Sequence, residues 1–185
     1  MKELALHLLD IVNNSISAHS KNIEITVIED TATDRLQMSV KDDGTGMDAQ
    51  MLSMVTDPFV TSRTTRKVGL GIPLLKAAAE ACNGGLKIQS QLGKGTQVEV
   101  EFQRSHIDRM PLGDLAGTIR SLEIGSPEVH LVFRYRVDDA EFVFDDAPIK
   151  KELEVISLTE PAVLTFLREY LEEGIKAVQK KAQLQ

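Results

Sequence analysis

A carboxylate and a carboxamide near the start of the chain have the types and spacing of a cation-binding pair. Asp10 and Asn14 are four residues apart, so on a helix they project from one side, one turn from each other. Such a pair can orient a water molecule and bind Mg2+, which prefers oxygen ligands. Surface pairs without any role have the same spacing, so this pair alone predicts little.

A second segment, Asp-Asp-Gly-Thr-Gly at residues 42–46, combines acids with glycines. An acid at the end of a strand can accept a hydrogen bond from the amino group of a base. Glycines beside it allow the backbone to approach a flat ring closely. The alternative interpretation is a plain Asp-Gly turn.

A third segment places glycines where a loop enters a helix. Gly69 and Gly71 expose backbone N–H groups at a helix N-terminus, which favours phosphate. Arg63, Arg66 and Lys67 lie just upstream and add donors for phosphate oxygens. The Walker pattern and the dinucleotide fingerprint are both absent from the sequence, so this is a different phosphate site, a simple hinge or a solvated basic loop.

The order of these segments, with a fourth at Gly93–Thr96, resembles the ATPase module shared by two-component histidine kinases, DNA gyrase and MutL (the GHKL superfamily). The resemblance covers about residues 3–103. Its parts are an N box at 10–18, a first glycine box at 42–46, a lid entry at 57–63, a second glycine box at 69–72 and a third at 93–96.

The resemblance implies a role for each matching residue in binding ATP and Mg2+. Asp42 is expected to bind the adenine amino group, in a pocket lined by Gly44 and Gly46 and supported by Thr96. Asn14 is expected to bind Mg2+. The backbone of Gly69, Leu70 and Gly71 is expected to bind the phosphates, and the lid cations are expected to be Arg63, Arg66 and Lys67.

Two residues depart from the superfamily pattern. Asp10 stands where the hydrolysing members carry the glutamate that activates water, and aspartate is one methylene shorter. Asp10 is therefore the candidate catalytic residue, but with a shorter reach. Asp43 replaces the usual asparagine and is expected to add a negative charge near the pocket.

The pattern of apolar residues predicts the elements that position these segments. The superfamily fold is an α+β, two-layer α/β sandwich of the Bergerat type, in which helices cover a mixed sheet. Residues 1–103 are expected to form this ATP-binding domain, and residues 104–185 a small α+β extension. Helices are predicted at 3–19, 48–55, 69–82, 113–122 and 161–183, and strands at 22–28, 36–40, 86–90, 96–102, 129–137 and 141–144.

Two functions of different classes remain open. A kinase would phosphorylate a partner protein, for which positioning and Mg2+ matter most. An ATP-dependent switch would signal through residues 104–185, with slow hydrolysis or none. The N box begins almost at Met1, so no phosphoacceptor hairpin is expected upstream of it. None of the four histidines has the expected phosphoacceptor context: His7, expected on a helix surface, His19, His106 and His130.

Bulk properties restrict the partners. A net charge of -7 disfavours nucleic acid. The sequence contains no apolar run long enough for a bilayer and no signal-peptide pattern, so a cytoplasmic protein without membrane contact is expected. ATP or ADP and a partner protein are the expected ligands. Sensing, partner docking and homodimerisation are all open for the extension.

Overall fold

Six strands form one mixed sheet in the computed structural model, which describes residues 2–55, 71–152 and 160–182. Their order across the sheet is β3-β4-β2-β1-β5-β6. β1 pairs in parallel with β5, and the other neighbouring strands are antiparallel. The strands are β1 Asn22–Asp30, β2 Arg35–Asp42, β3 Gly85–Gln91, β4 Gly95–Gln103, β5 His130–Val137 and β6 Ala140–Asp145.

The helices that the structure describes lie close to the predicted ranges, and α5 is a helix for which no bounds were predicted. They are α1 Leu4–Ser17, α2 Ala49–Val55, α3 Gly71–Ala81, α4 Leu115–Gly125, α5 Asp146–Glu152 and α6 Pro161–Ala182. Asp48 was predicted to begin α2, and its Oδ1 accepts the Met51 N–H at 2.7 Å. That bond satisfies one of the unpaired donors of the first turn.

Helix α1 begins without a side-chain cap, and carbonyl groups from the second half of the chain replace it. Leu4 N–H donates to Pro111 O at 2.9 Å, and Ala5 N–H donates to Leu112 O at 2.8 Å. The loop before α4 therefore satisfies donors that the first turn of a helix leaves free. This contact fixes the end of the helix that carries Asp10 and Asn14.

The alternation of buried and more exposed residues along the strands explains why the fold has two layers. In β1, Ile23, Ile25 and Val27 are buried against the helices, while the residues between them are more exposed. A strand with this pattern has one covered face and one solvated face. Helices cover the buried face through apolar stripes, and that of α6 runs through Val163, Leu167, Leu171, Ile175 and Val178. The two-layer α+β fold is therefore confirmed.

Strands β5 and β6, which lie beyond residue 103, continue the sheet of the first half through the parallel pairing of β1 with β5. α6 contacts β5 and β6, and α4 contacts both α1 and α6. The division into domains 1–103 and 104–185 stays a prediction. Within the part of the chain that the structure describes, no helix combines the length and apolar character required to cross a bilayer.

Candidate functional site

The carboxylate of Asp42 lies at the junction of α1, β2 and β4. It is only 8% exposed. Ser15 on α1 donates its hydroxyl to Asp42 Oδ2 at 2.7 Å. The backbone N–H groups of Gly44 and Thr96 donate to Asp42 Oδ1 at 2.9 Å and 3.2 Å. Three separate segments of the chain therefore hold one carboxylate.

The first and third glycine boxes lie side by side. Asp42 and Thr96 are paired in the ladder between β2 and β4, and Gly93 N–H donates to Thr45 O at 2.7 Å. Gly46 has φ +63° and Gly95 has φ +100°, conformations that favour glycine. A β-carbon on Gly46 would overlap the Gln91 carbonyl, and one on Gly95 would overlap the Asp42 carbonyl. The two turns can approach this closely only as glycines.

Ser90 on β3 joins the two boxes from the other side. Its hydroxyl accepts the Met47 N–H at 2.8 Å and lies 2.8 Å from Thr96 Oγ1. This contact fixes the side chain of Thr96 at the mouth of the site. The sequence reasoning did not identify Ser90, because it lies 43 residues from Met47 and carries no motif of its own.

These segments enclose a cavity of about 270 Å³. Its volume is near the lower end for small-ligand sites, about 300–1,000 Å³. The wall is mainly apolar with a few convergent polar groups, which is the usual character of a ligand site. Its lining includes Ile11, Asn14, Ser15, Asp42, Gly46, Met47, Met51, Val55, Ile72, Thr96 and Val98.

A groove of about 670 Å³ lies elsewhere, on the uncovered face of the sheet. Thr26, Ser39, Lys87 and Glu99 contribute to its lining. It contains none of the predicted site residues. We therefore assign the candidate site to the smaller cavity, where the motifs meet.

Asp10 and Gly71 bring α1 against the start of α3. The Asp10 carboxylate lies so close to the Gly71 backbone that any β-carbon at residue 71 would overlap it. Ile72, the next residue, lines the cavity that Asn14 and Asp42 also line. The start of α3 therefore reaches the cavity that the other boxes line, and the phosphate role of Gly71 stays a prediction.

His7 was expected on a helix surface, and that expectation is wrong. The side chain is only 3% exposed, and Asp10 and the Gly71 backbone act on it. Burial lowers the pKa of His7 below its ordinary value, although both neighbours oppose this effect. Among the described residues, His7 Nδ1 has no hydrogen-bond partner.

Asp43 was expected to add negative charge near the pocket, but its side chain does not line the cavity. Its carboxylate accepts the backbone N–H groups of Lys21 and Asn22 at 2.8 Å and 2.9 Å, and the Asn22 carboxamide at 2.6 Å. Burial alone would raise the pKa of Asp43, but these hydrogen bonds hold it below its ordinary value. Asp43 therefore fixes the start of β1.

The remaining predicted residues lie outside those that the structure describes. They are the lid entry at 57–63 and the residues Arg63, Arg66, Lys67, Gly69 and Leu70. Ser15, in contrast, is described and was missed as a site residue. The available signal was a polar residue within the apolar stripe of the first predicted helix.

Comparison with known proteins identifies the module. A family model described as histidine kinase-, DNA gyrase B-, and HSP90-like ATPase matches residues 2–106. A protein named as a sensor in Shewanella frigidimarina is 34% identical over 103 residues, which are 55% of this chain and 16% of that protein. Sporulation kinase C of Bacillus subtilis is 32% identical over 92 residues, which are 50% of this chain and 21% of that kinase.

The chain thus spans 16–21% of the length of these relatives. Among solved structures, the N-terminal domain of a DNA repair protein is similar in fold. Its TM-score is 0.56 at 14% identity, over 77% of this chain and 52% of that one. The family match covers more than half of the chain and confirms the resemblance drawn from the motifs. The chain belongs to the histidine kinase-, DNA gyrase B-, and HSP90-like ATPase family.

Proposed function

We propose that the chain binds Mg-ATP in the cavity beside Asp42 and transfers the terminal phosphoryl group to a partner protein. The observation that carries the binding proposal is the hydrogen bonding of Asp42. An ionised carboxylate offers about four acceptor positions. Ser15, Gly44 and Thr96 use three of them. One position on Oδ2 remains for a donor that enters the cavity, and an adenine amino group is such a donor.

The shape of the cavity supports a flat base. Gly46 contributes no side chain, and apolar residues such as Ile11, Met47 and Ile72 provide surfaces for the ring. Thr96 adds a hydroxyl close to Asp42. A purine in this position would bury apolar area and satisfy the free acceptor of Asp42 at once. An uncharged apolar ligand would leave that buried acceptor unpaired, which costs about 1–3 kcal/mol.

The phosphates of such a nucleotide would extend along α1 towards the start of α3. Asn14 lines the cavity, and Asp10 lies one turn away against Gly71. A carboxamide oxygen and a carboxylate suit Mg2+, so the donor set fits this ion, with Asn14 as the proposed ligand. Bound Mg2+ would neutralise phosphate charge. Backbone groups of Gly69, Leu70 and Gly71 and the side chains of Arg63 and Lys67 are the proposed phosphate donors.

Phosphoryl transfer fits this site better than rapid hydrolysis. Transfer depends mainly on positioning and on stabilising charge, and it needs little covalent chemistry from the protein. Asp10 is short, and its carboxylate contacts Gly71. We propose Asp10 as the group that orients the attacking hydroxyl of the partner. The names of the relatives, which include a kinase, favour the same reaction class.

An ATP-dependent switch is the second candidate, and one set of contacts favours it. Asp43 of the first glycine box binds the start of β1, and Lys21 O in that same segment accepts the His130 N–H of β5 at 2.7 Å. Hydrogen bonds therefore join the nucleotide box to the extension. A nucleotide that reorders the box could change the packing of β5.

Replacement of Asp42 by Asn tests the binding proposal. The carboxamide keeps the size of the side chain but loses an acceptor and the charge. We expect Asp42→Asn to weaken Mg-ATP binding by at least about tenfold, because a hydrogen bond to a charged group contributes about 1.5–3 kcal/mol. Calorimetric titration measures the affinity. Asp139→Asn, in the exposed turn after β5, is the matched control. Equal affinity of Asp42→Asn and the wild type would rule out this adenine site.

A second experiment separates the two candidates. ATP labelled at the γ-phosphate is incubated with the chain and candidate partner proteins. A partner protein that is labelled by the wild-type chain but not by the Asp10→Ala variant supports phosphoryl transfer. If ATP slows hydrogen exchange at β5 and no partner protein is labelled, the result supports the switch.

A further inference from the structure

The outer flank of α6 carries two aromatic side chains that remain half-exposed. Phe166 is 50% exposed and Tyr170 is 41% exposed. Their rings stack with centroids 5.7 Å apart, and Tyr170 also contacts Phe142 at 5.6 Å and Phe144 at 6.2 Å. Phe144 is fully buried. The aromatic row therefore begins in the core and ends at the surface.

Strand β6 lies beneath this row and is the last strand of the sheet. It pairs with β5 on one side. Among residues 2–55, 71–152 and 160–182, no strand pairs with its other side. An edge strand of this kind presents free N–H and C=O groups that another strand can pair with.

The position of α6 explains why the aromatic side chains matter at this edge. The Phe142 ring lies against Gly174, where any β-carbon would overlap it, so α6 sits directly over β6. A strand added beside β6 would lie about 4.8 Å further out. Its alternate side chains would then point at the flank of α6, where Phe166 and Tyr170 are exposed.

We propose that β6 and α6 bind an extended segment of a partner protein as a seventh strand. The segment pairs with the backbone of β6 and places apolar side chains, at every second position, under Phe166 and Tyr170. This mode obtains affinity from main-chain hydrogen bonds and specificity from the alternate side chains. The proposal does not rest on nucleotide binding.

Charged side chains on the uncovered face of β6 indicate which side chains the partner segment carries on that same face of the sheet. Glu141 and Asp145 point to this face, with Val143 between them, 37% exposed. Arg134 of β5 donates to Glu141 Oε1 at 3.2 Å, so this pair already occupies one oxygen of Glu141. Cross-strand pairs of opposite charge stabilise a sheet, and like charges directly opposite each other destabilise it. The partner segment therefore carries lysine or arginine at the positions that alternate with its apolar residues.

The same charges disfavour a second copy of this chain as the occupant. Antiparallel pairing of two β6 strands centred on Val143 would set Glu141 opposite Asp145 of the other copy. Pairing centred on Phe142 would set Asp139 opposite Asp145. Both registers oppose two carboxylates, whereas a basic segment meets none of this repulsion.

A synthetic peptide tests the proposal on the whole 185-residue chain. The probe is the fluorescent octapeptide Lys-Phe-Arg-Val-Lys-Leu-Arg-Phe, and its fully N-methylated form is the control, which keeps the side chains but has no internal amide donors. Fluorescence anisotropy should show saturable binding of the first peptide alone. Phe166→Ala should weaken it by about tenfold or more, since half-buried aromatic anchors dominate such sites. Thr165→Ala, at an exposed position about 100° around α6 from Phe166, should leave affinity unchanged.

Hydrogen exchange locates the contact. Backbone amides of β6 that point away from β5 should exchange fast in the free protein and slowly with the peptide. Equal binding of the N-methylated peptide, or equal affinity of Phe166→Ala, would overturn the proposal. Slow exchange of all β6 amides in the free protein would also overturn it, because the edge would already be covered. A concentration-dependent dimer that Phe166→Ala abolishes would assign the edge to a second copy instead.

Discussion

At the scale of single residues, the two close glycine turns make a quantitative test possible. Gly46 and Gly93 both have positive φ, +63° and +75°. Their surroundings differ, because a β-carbon on Gly46 would overlap the Gln91 carbonyl, whereas one on Gly93 would meet nothing within 4 Å. The pair therefore separates the cost of the backbone conformation from the cost of steric overlap.

We expect Gly93→Ala to lower the free energy of unfolding by about 1 kcal/mol, the cost of positive φ for alanine. Gly46→Ala should cost at least about 2 kcal/mol and also weaken nucleotide binding, because the turn must move away from Gln91. Urea denaturation of both variants measures the difference. Equal losses would show that the Gly46 turn does not pack against β3 as described.

The sequence identified the residues of the site by type and order, but not their partners. Asp42, Gly46 and Thr96 followed from the boxes that contain them. Ser15 did not, because its bond to Asp42 spans 27 residues and depends on how α1 packs on β2. His7 was misjudged for the same reason. Its side chain is buried and acts with the backbone of Gly71 at the start of another helix, which no local pattern on α1 can indicate.

At the scale of elements, a buried charge network joins α4, α5 and β5. Asp146 and Glu123 are 1% and 2% exposed. Lys150 Nζ lies 2.6 Å from Asp146 Oδ2 and 3.0 Å from Glu123 Oε1. His130 Nδ1 lies 2.5 Å from Asp146 Oδ1, and Leu131 N–H donates to Asp146 Oδ2 at 2.8 Å. Burial, together with the nearby Asp146 carboxylate, raises the pKa of Glu123 to about 7.

This pKa gives the network a pH dependence of known sign. The ordinary pKa of 4.5 describes Glu123 in the unfolded chain, so the folded protein binds this proton more tightly. The stability that the protonated Glu123 side chain contributes is complete below pH 4.5 and is lost as the pH rises through about 7. We expect Glu123→Gln, which stays neutral, to gain stability relative to the wild type over this interval, by on the order of 1–3 kcal/mol. Urea unfolding from pH 5 to pH 8 measures the difference.

Glu128→Gln is the control, since that side chain is exposed in the turn before β5. Its stability relative to the wild type should not change over the same pH range. A Glu123→Gln variant whose relative stability does not depend on pH would show that Glu123 is ionised in the folded protein throughout.

The elements themselves were largely predictable from sequence, and their junctions were not. Alternation gave the hairpin of β1 and β2, and Asp48 indicated the start of α2. No pattern indicated that Glu123, His130 and Asp146 meet, because they lie on three different elements and each has the character of a surface residue. The start of α1 was equally hidden, because its donors pair with carbonyls at Pro111 and Leu112.

At the scale of the whole molecule, the sheet is continuous across the predicted domain boundary. The motifs lie in residues 1–103, but α4 packs against α1, which carries Asp10 and Asn14. Local sequence patterns predict the helices and strands of each half separately. They do not predict that β1 pairs with β5, because parallel strands so distant in the chain leave no local signal. This pairing leads us to expect that both halves unfold together.

Ile119 provides the test of that expectation. It lies on α4 with no exposed surface, in the core that α4 shares with α1 and α6. Ile119→Ala should lower the free energy of unfolding by about 2–5 kcal/mol through the lost packing and the cavity left behind. Native-state hydrogen exchange measures this loss separately at Val40 on β2 and Phe133 on β5. Equal losses at both amides mean that the halves open together, and the exposed Ser121→Ala should change neither. A loss confined to β5 would instead make residues 104–185 a separate unfolding unit, and would also weaken the case for a switch that acts through β5.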